Sequence, residues 1–280
     1  MTIPYRSGIE RWADRLQGVG VKYHVLGSLR VVDGDDEVFI NATKIKTVLA
    51  NLLIRANQVV PFDHLMVELW GENPPRRASA AIHVYVSQLR KLLKSSGCQK
   101  SPIITRAPGY LIQVNSRDFD LNVFMRLIEE ARAGKREQRH QEVIDLAREA
   151  LDLWREPVLS DLRESPTVAR FSTWLEELRT EFIEMMIDSY LALGRDRESV
   201  SYLYSVLQDH PLHETFYQQL MIALHKGGRT GDALQVYQSA RETLRNELGL
   251  EPGRALRDLQ QHILRVDDGH RPRLAASRSN

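Results

Sequence analysis

The hydrophobic positions between Phe62 and Val114 change their period twice. Phe62, Leu65, Met66, Leu69 and Trp70 recur at three-and-four spacing, which predicts a short helix, and Gly71 with Pro74 and Pro75 ends it and bends the chain. Ile82, Val86, Leu89 and Leu93 then follow at intervals of four, three and four, predicting a second helix from Arg76 to Lys94 with one apolar face. From Ile103 to Arg106 and from Tyr110 to Val114 the runs are β-rich, and Ala107, Pro108 and Gly109 between them predict a hairpin with Arg106 and Tyr110 flanking its tip.

Upstream, KYHVLGSLRVV and DGDDEVFI read as two strands joined at Asp33 and Gly34, and Ala42 to Arg55 as a helix with Val48, Leu49, Leu52 and Leu53 on its apolar stripe. Ile9, Trp12, Ala13 and Leu16 allow a short amphipathic segment to which no role is assigned. After Phe119 helical stripes follow one another with no strand pattern: residues 119–133, 141–154, 166–193, 197–208, 213–225 and 230–248. Gly194 aligns with Gly227 and Tyr204 with Tyr237, an offset of about 33 where a tetratricopeptide repeat has 34. Such repeats stack into surfaces that bind protein. Trp70, Trp154 and Trp174 fall on apolar stripes and are expected in the core rather than as platforms for bases.

Composition narrows the function classes. With 280 residues, 42% hydrophobic and 27% charged, the chain can bury a sizeable core and is expected to form two domains. No apolar run approaches the roughly 20 residues of a membrane span, and the N-terminus has no signal-peptide core, so a cytoplasmic location is expected, with no membrane partner. The single cysteine, Cys98, excludes an internal disulfide and a cysteine metal cluster, and the nine histidines show no paired ligand spacing. GxxxxGK[ST], GxGxxG after a strand and GxSxG are all absent. No catalytic residue, cofactor or metal is therefore expected, and the protein is read as a non-enzyme.

Charge is divided unequally. Residues 39–116 carry ten Lys and Arg against three Asp and Glu, whereas residues 117–264 carry nineteen against twenty-six, in a chain of net charge +1. A basic half suits phosphate, and an acidic half a protein partner. The predicted helix from Arg76 to Lys94 holds Arg76, Arg77, Arg90, Lys91 and Lys94 and no carboxylate. Its polar face has small or polar groups able to meet base edges in a major groove: Ser79, His83, Val84, Ser87 and Gln88 are the base-edge candidates. Arg77, Arg90, Lys91, Lys94, Lys44 and Lys46 are the phosphate candidates, and Arg106 and Tyr110 belong to a wing directed at a minor groove or a phosphate.

These residues carry a family resemblance. An N-terminal sheet, three helices and a terminal hairpin are similar to the OmpR-type winged helix. LMVELWGENPPRRASAAIHVYVSQLRKLL, then ITRAPGYLIQV, then DFDLNVF resemble the Streptomyces antibiotic regulatory protein (SARP) family, whose members read aliphatic-x-x-x-x-Trp-Gly-x-x-Pro-Pro, Tyr-Val-Ser-x-Leu-Arg and Pro-x-Gly-Tyr. Here these are Leu65 to Pro75, Tyr85 to Arg90 and Pro108 to Tyr110. Residues 233–264 resemble the closing segment of the bacterial transcriptional activation domain that follows the winged helix in this family. The sequence departs from the family at Gln88, where a basic residue is common, and at the start of the first helix, Thr43 to Lys46, which is less basic.

The resemblance implies a mainly α fold with small β elements: an N-terminal extension (1–20), a winged helix-turn-helix (21–116), an all-α tetratricopeptide-like activation domain (117–264) and a flexible tail (265–280). It implies a sequence-specific transcriptional activator, associated with the nucleoid and acting on secondary-metabolite (antibiotic) genes. Two protomers would lie side by side as a homodimer on direct repeats of double-stranded DNA about one turn (roughly 10 to 11 base pairs) apart, and would recruit RNA polymerase holoenzyme with its sigma factor. Neither a receiver domain nor a nucleotide-hydrolysing extension is expected. Two alternatives stand beside this: a repressor using the same DNA-binding half, and a helical-repeat scaffold or peptide sensor whose basic segment serves another acidic partner.

Overall fold

The computed structural model describes residues 21–94 and 101–270. The segment containing Ile9 to Leu16, the loop holding Cys98 and the tail beyond residue 270 lie outside these. The chain divides into two compact units, one of residues 1–130 with 146–182 and one of residues 131–145 with 183–280. The dividing line passes through three helices, so the first unit holds the winged helix together with parts of the helices that follow it.

In the first unit, β1 (Val21–His24), β2 (Arg30–Asp33) and β3 (Asp36–Glu37) form an antiparallel sheet in that order, with Tyr23 opposite Val31 and Val32 opposite Glu37. The expected first strand is thus two strands, broken over Val25 to Leu29. The cause is a distant carboxylate: Asp120 accepts the amide protons of Val25 (3.0 Å to each oxygen) and Leu26 (3.1 Å), which draws them out of the ladder. Helix α1 (Thr43–Ile54) buries Ile45, Val48, Leu49, Leu52 and Leu53. A two-residue strand, β4 (Val60–Pro61), leads into α2 (Phe62–Trp70), which Gly71 ends with φ of +62° while its amide donates to the Val67 carbonyl. Helix α3 (Ala78–Leu92) is shorter by two residues at each end than its sequence pattern and packs against α1 and α2. Ile82, Val86, Leu89 and Leu93 are all buried, and each such burial stabilises by roughly 1.5–3 kcal/mol.

The hairpin of β5 (Ile103–Arg106) and β6 (Gly109–Ile112) joins β4 in a second sheet of order β4-β6-β5. Gly109 is required there: a Cβ would lie 1.9 Å from the Val60 carbonyl oxygen. The close pairing of Pro61 with Gly109 and of Val60 with Tyr110 turns Tyr110 inward, so it is buried rather than flanking the tip. The exposed tip is Arg106, Ala107 and Pro108.

Three helices follow: α4 (Asp120–Arg136), α5 (His140–Leu151) and α6 (Pro166–Ala192). Their part in the first unit has its core at Phe119, Phe124, Leu175 and Phe182, with Phe124 against Phe182 at 5.2 Å and Trp154 edge-on to Phe124 at 5.6 Å. Trp174, expected in the core, is 43% exposed: its position on α6 looks outward, with the Phe171 ring tilted beside it at 5.8 Å.

In the second unit, α7 (Asp196–Asp209), α8 (Glu214–Lys226), α9 (Thr230–Leu248) and α10 (Arg254–His270) continue the helical array, with α8 packed against α7, α9 and α10. Helix α10 has no counterpart among the stripes read from sequence. The repeat register is 34 residues, one more than the sequence alignment. Gly194 and Gly228 both take positive φ (+70° and +76°), and the amides that follow them, Arg195 and Arg229, donate to Tyr190 and Leu224. Leu203 therefore corresponds to Tyr237, both buried, and Tyr204, 46% exposed, does not. Two adjacent glycines at 227 and 228 made the wrong one align.

Candidate nucleic-acid interface

Helix α3 offers one face to solvent. Ser79, Ala80, His83, Val84, Ser87, Gln88 and Lys91 are exposed along it, with Arg76 and Arg77 before its first turn and Lys94 after its last. Val84, 52% exposed, is an aliphatic group in the middle of a polar face. No carboxylate occurs on α3, so nothing on the helix opposes an approaching phosphate.

His83 and Arg90, seven residues and two helical turns apart, share a side of α3 and both reach the hairpin. His83 Nδ1 lies 2.6 Å from the Tyr110 hydroxyl. Arg90 donates from Nε to the Ile103 carbonyl at 3.1 Å and from a terminal nitrogen to Thr105 Oγ1 at 2.8 Å, with its guanidinium 5.9 Å from the Tyr110 ring. Phe62 closes the cluster, its ring 5.4 Å from that of His83. Burial pushes the Tyr110 phenol above its ordinary pKa, against an opposing pull from Arg90. The wing is thus tied to α3 at two points.

Two of the remaining basic candidates, Lys44 and Lys46, have partners of their own. Lys44 donates to the Leu69 carbonyl at 3.1 Å and sits 4.6 Å over the Trp70 ring, so it caps the C-terminal turn of α2. Lys46 pairs with Asp161 at 2.9 Å. Arg106 is exposed at the hairpin tip. The structure therefore gathers Ser79, His83, Val84, Ser87, Gln88, Lys91, Arg77 and Lys94 on or beside one helix face, and engages Lys44, Lys46, Arg90 and Tyr110 in contacts within the unit.

Behind the helix pair is a buried polar cluster that sequence reasoning missed. Glu68 accepts from the Ser165 hydroxyl, from the Thr167 amide at 3.0 Å and from Thr167 Oγ1 at 2.6 Å, at the first turn of α6. Burial alone would raise the Glu68 pKa, but these donors outweigh it and hold the carboxyl below its ordinary value. His64, 3.6 Å from Glu68, is held below the usual histidine value by burial and by Arg55, so this contact is not an ion pair at neutral pH. Asn51 adds a donor to Ser165 at 3.2 Å. Partners about a hundred residues apart leave no mark on helical periodicity. Asp120, as the acid opening a helix after a strand, is the one member of these buried groups with a local signal.

A winged helix with an acid-free exposed helix, followed by a helical repeat array, defines a DNA-binding transcriptional regulator. Residues 38–112 match the family of transcriptional regulatory protein C-terminal domains, and residues 119–264 match the bacterial transcriptional activator domain. The chain is 37% identical to the regulatory protein DnrI of Streptomyces peucetius over 259 residues, 89% of this chain and 94% of that protein. It is 31% identical to the transcriptional regulator RedD of Streptomyces coelicolor, covering 88% and 71% of the two chains. A solved structure of Mycobacterium tuberculosis EmbR, in complex with a low affinity phosphopeptide, superposes with a TM-score of 0.83 at 32% identity, and this chain spans 65% of that one and is itself 88% covered. The protein belongs to the SARP family of transcriptional regulators.

Among the described residues no helix is long and apolar enough to cross a membrane.

Proposed function

We propose that this regulator is a sequence-specific transcriptional activator that binds direct repeats upstream of its promoters and recruits RNA polymerase holoenzyme, through its sigma factor, to genes of antibiotic biosynthesis. The reading rests on the polar face of α3, which is exposed among the described residues. Ser79, His83, Val84, Ser87 and Gln88 meet base edges in the major groove, Val84 suiting a thymine methyl. Arg77, Lys91 and Lys94 take phosphates, and Arg106 at the wing tip enters the adjacent minor groove. Arg90 and Tyr110 hold the wing in place, and Lys44 and Lys46 reach DNA only on giving up their partners in the unit. Two protomers lie side by side as a homodimer on repeats one turn apart, so both α3 helices meet the same face of the duplex.

The activator role is supported by the match of residues 119–264 to the bacterial transcriptional activator domain and by the acidic balance of residues 117–264, which suits a protein partner rather than a second nucleic acid. Selection of bound duplex from a random pool tests the reading: two repeats roughly 10 to 11 base pairs apart are expected, and a pool without a consensus would end it. Transcription in vitro from a promoter carrying that consensus then separates activation from repression.

A further inference from the structure

The contact between His83 and Tyr110 has a consequence for what the helix reads. His83 stands on the exposed face of α3, yet one of its two ring nitrogens is already engaged, Nδ1 lying 2.6 Å from the Tyr110 hydroxyl. Tyr110 is 4% exposed, and among the described residues its hydroxyl has no other partner. The direction of this bond follows. Were Nδ1 to carry the imidazole proton and donate it, the phenol proton would have no acceptor among the described residues, whereas a phenol that donates to Nδ1 is satisfied by this single bond. Burial also keeps the proton on the phenol. The arrangement is held from both sides. The Phe62 ring and the edge-on Tyr110 ring, at 6.3 Å and 77°, fix the imidazole plane, and Arg90 holds β5, the strand whose Thr105 pairs with Tyr110.

We infer that Tyr110 is a positioning residue that holds neutral His83 as its Nε2–H tautomer, so that His83 offers the major groove a hydrogen-bond donor and selects an acceptor edge. Guanine N7 or O6, adenine N7 and thymine O4 are such edges, and cytosine, which presents an amino donor there, is refused. A hydrogen bond from a second residue fixing which histidine nitrogen is free is a general device. Here it lets a buried wing residue choose a base it never touches. The inference rests on the DNA-reading role proposed for α3.

The test joins a spectroscopic measurement to a binding one on the full chain. Two-bond proton–nitrogen correlation of 15N-histidine protein at pH 8 is expected to show His83 as the Nε2–H form, and as a mixture of tautomers in Tyr110→Phe, which keeps the ring and loses only the hydroxyl. In sequences selected from a random duplex pool, His83→Ala is expected to relax one base position per repeat. At that position cytosine is expected to weaken wild-type binding by about three- to tenfold, the worth of one hydrogen bond, and Tyr110→Phe to reduce that discrimination without altering preference elsewhere. An Nδ1–H form in the wild type, which needs no variant to fold, overturns the inference. So does cytosine as the selected base, or discrimination unchanged in folded Tyr110→Phe. A consensus that ignores His83→Ala overturns this inference alone, whereas a pool with no consensus removes the DNA-reading role as well.

Discussion

Glu68, near the end of α2, and Thr167, in the first turn of α6, are joined twice: the Thr167 amide donates to the Glu68 carboxylate at 3.0 Å and its hydroxyl at 2.6 Å. The carboxylate thereby caps a helix N-terminus that belongs to a different part of the chain, where negative charge is favoured. The helix that precedes the Gly71 bend and the helix that opens at Pro166 share this acid, so the first unit is expected to unfold as one piece.

Replacing Glu68 by Ala leaves a buried amide and two hydroxyls without their acceptor, and a loss of about 2–4 kcal/mol is expected. Chemical denaturation of the variant checks this, and a loss below about 0.5 kcal/mol would show that water replaces the carboxylate freely.

The same cluster predicts an acid limb. The folded pKa of Glu68 lies below its ordinary value of 4.5, so its contribution is fully present above that value and is lost as pH falls from 4.5 through the lower folded value. His64 is also depressed, from 6.5, so its neutral form is favoured by folding and stability begins to fall as pH drops below 6.5. Denaturation midpoints followed from pH 7 to well below 4.5 are expected to decline in two stages, with His64→Gln removing the upper stage and Glu68→Gln the lower.

Lys91 and Arg90 are neighbours in sequence with opposite expected effects. Lys91 is exposed, so Lys91→Ala is expected to leave stability within about 0.5 kcal/mol and to lower the salt slope of DNA binding by about 1. Arg90→Ala breaks two ties to the wing and is expected to cost about 1–3 kcal/mol. Salt titrations of binding, paired with denaturation curves, check both, and an unchanged slope in Lys91→Ala would remove it from the phosphate contacts.

Asp120 accepts two backbone amides from a segment 94 and 95 residues away. In Asp120→Ala both buried amides lose their acceptor, with an expected cost of about 3 kcal/mol. Amide exchange is expected to accelerate first at Val25 and Leu26, and uniform acceleration across the unit would show that the acid does not hold this loop in particular.

Gly109 and Gly71 look alike in sequence, as turn glycines within three residues of a proline. Gly109→Ala drives a methyl into the Val60 carbonyl and is expected to cost about 2–3 kcal/mol or prevent folding, whereas the space around Gly71 is open and the strain there comes from its φ of +62° alone. Thermal unfolding of the two alanine variants is expected to rank Gly109 as the more damaging.

The helices were legible wherever one face had to be apolar. The stripe of Ile82, Val86, Leu89 and Leu93 located α3 because a three-and-four spacing has only one way to bury all four. The hairpin announced itself through Pro108 and Gly109. Where local pattern failed, a distant residue had intervened: Asp120 broke the first strand, and the pairing of Val60 with Tyr110 turned Tyr110 inward. Trp174 was misplaced for the converse reason, since a long helix such as α6 carries apolar residues on more than one face and spacing cannot say which face is covered.

Periodicity, turn residues and the split in charge therefore determined by themselves a basic winged helix followed by an acidic helical array, because each depends on residues a few positions apart. Tertiary structure alone decided which polar groups are free. Arg90, Lys91, Lys44 and Lys46 are equivalent cations in sequence, yet Arg90, Lys44 and Lys46 are bonded to groups brought near by folding and Lys91 is exposed. The physical reason is that a hydrogen bond needs its partner within about 3 Å, and only the folded chain brings residues a hundred positions apart to that distance.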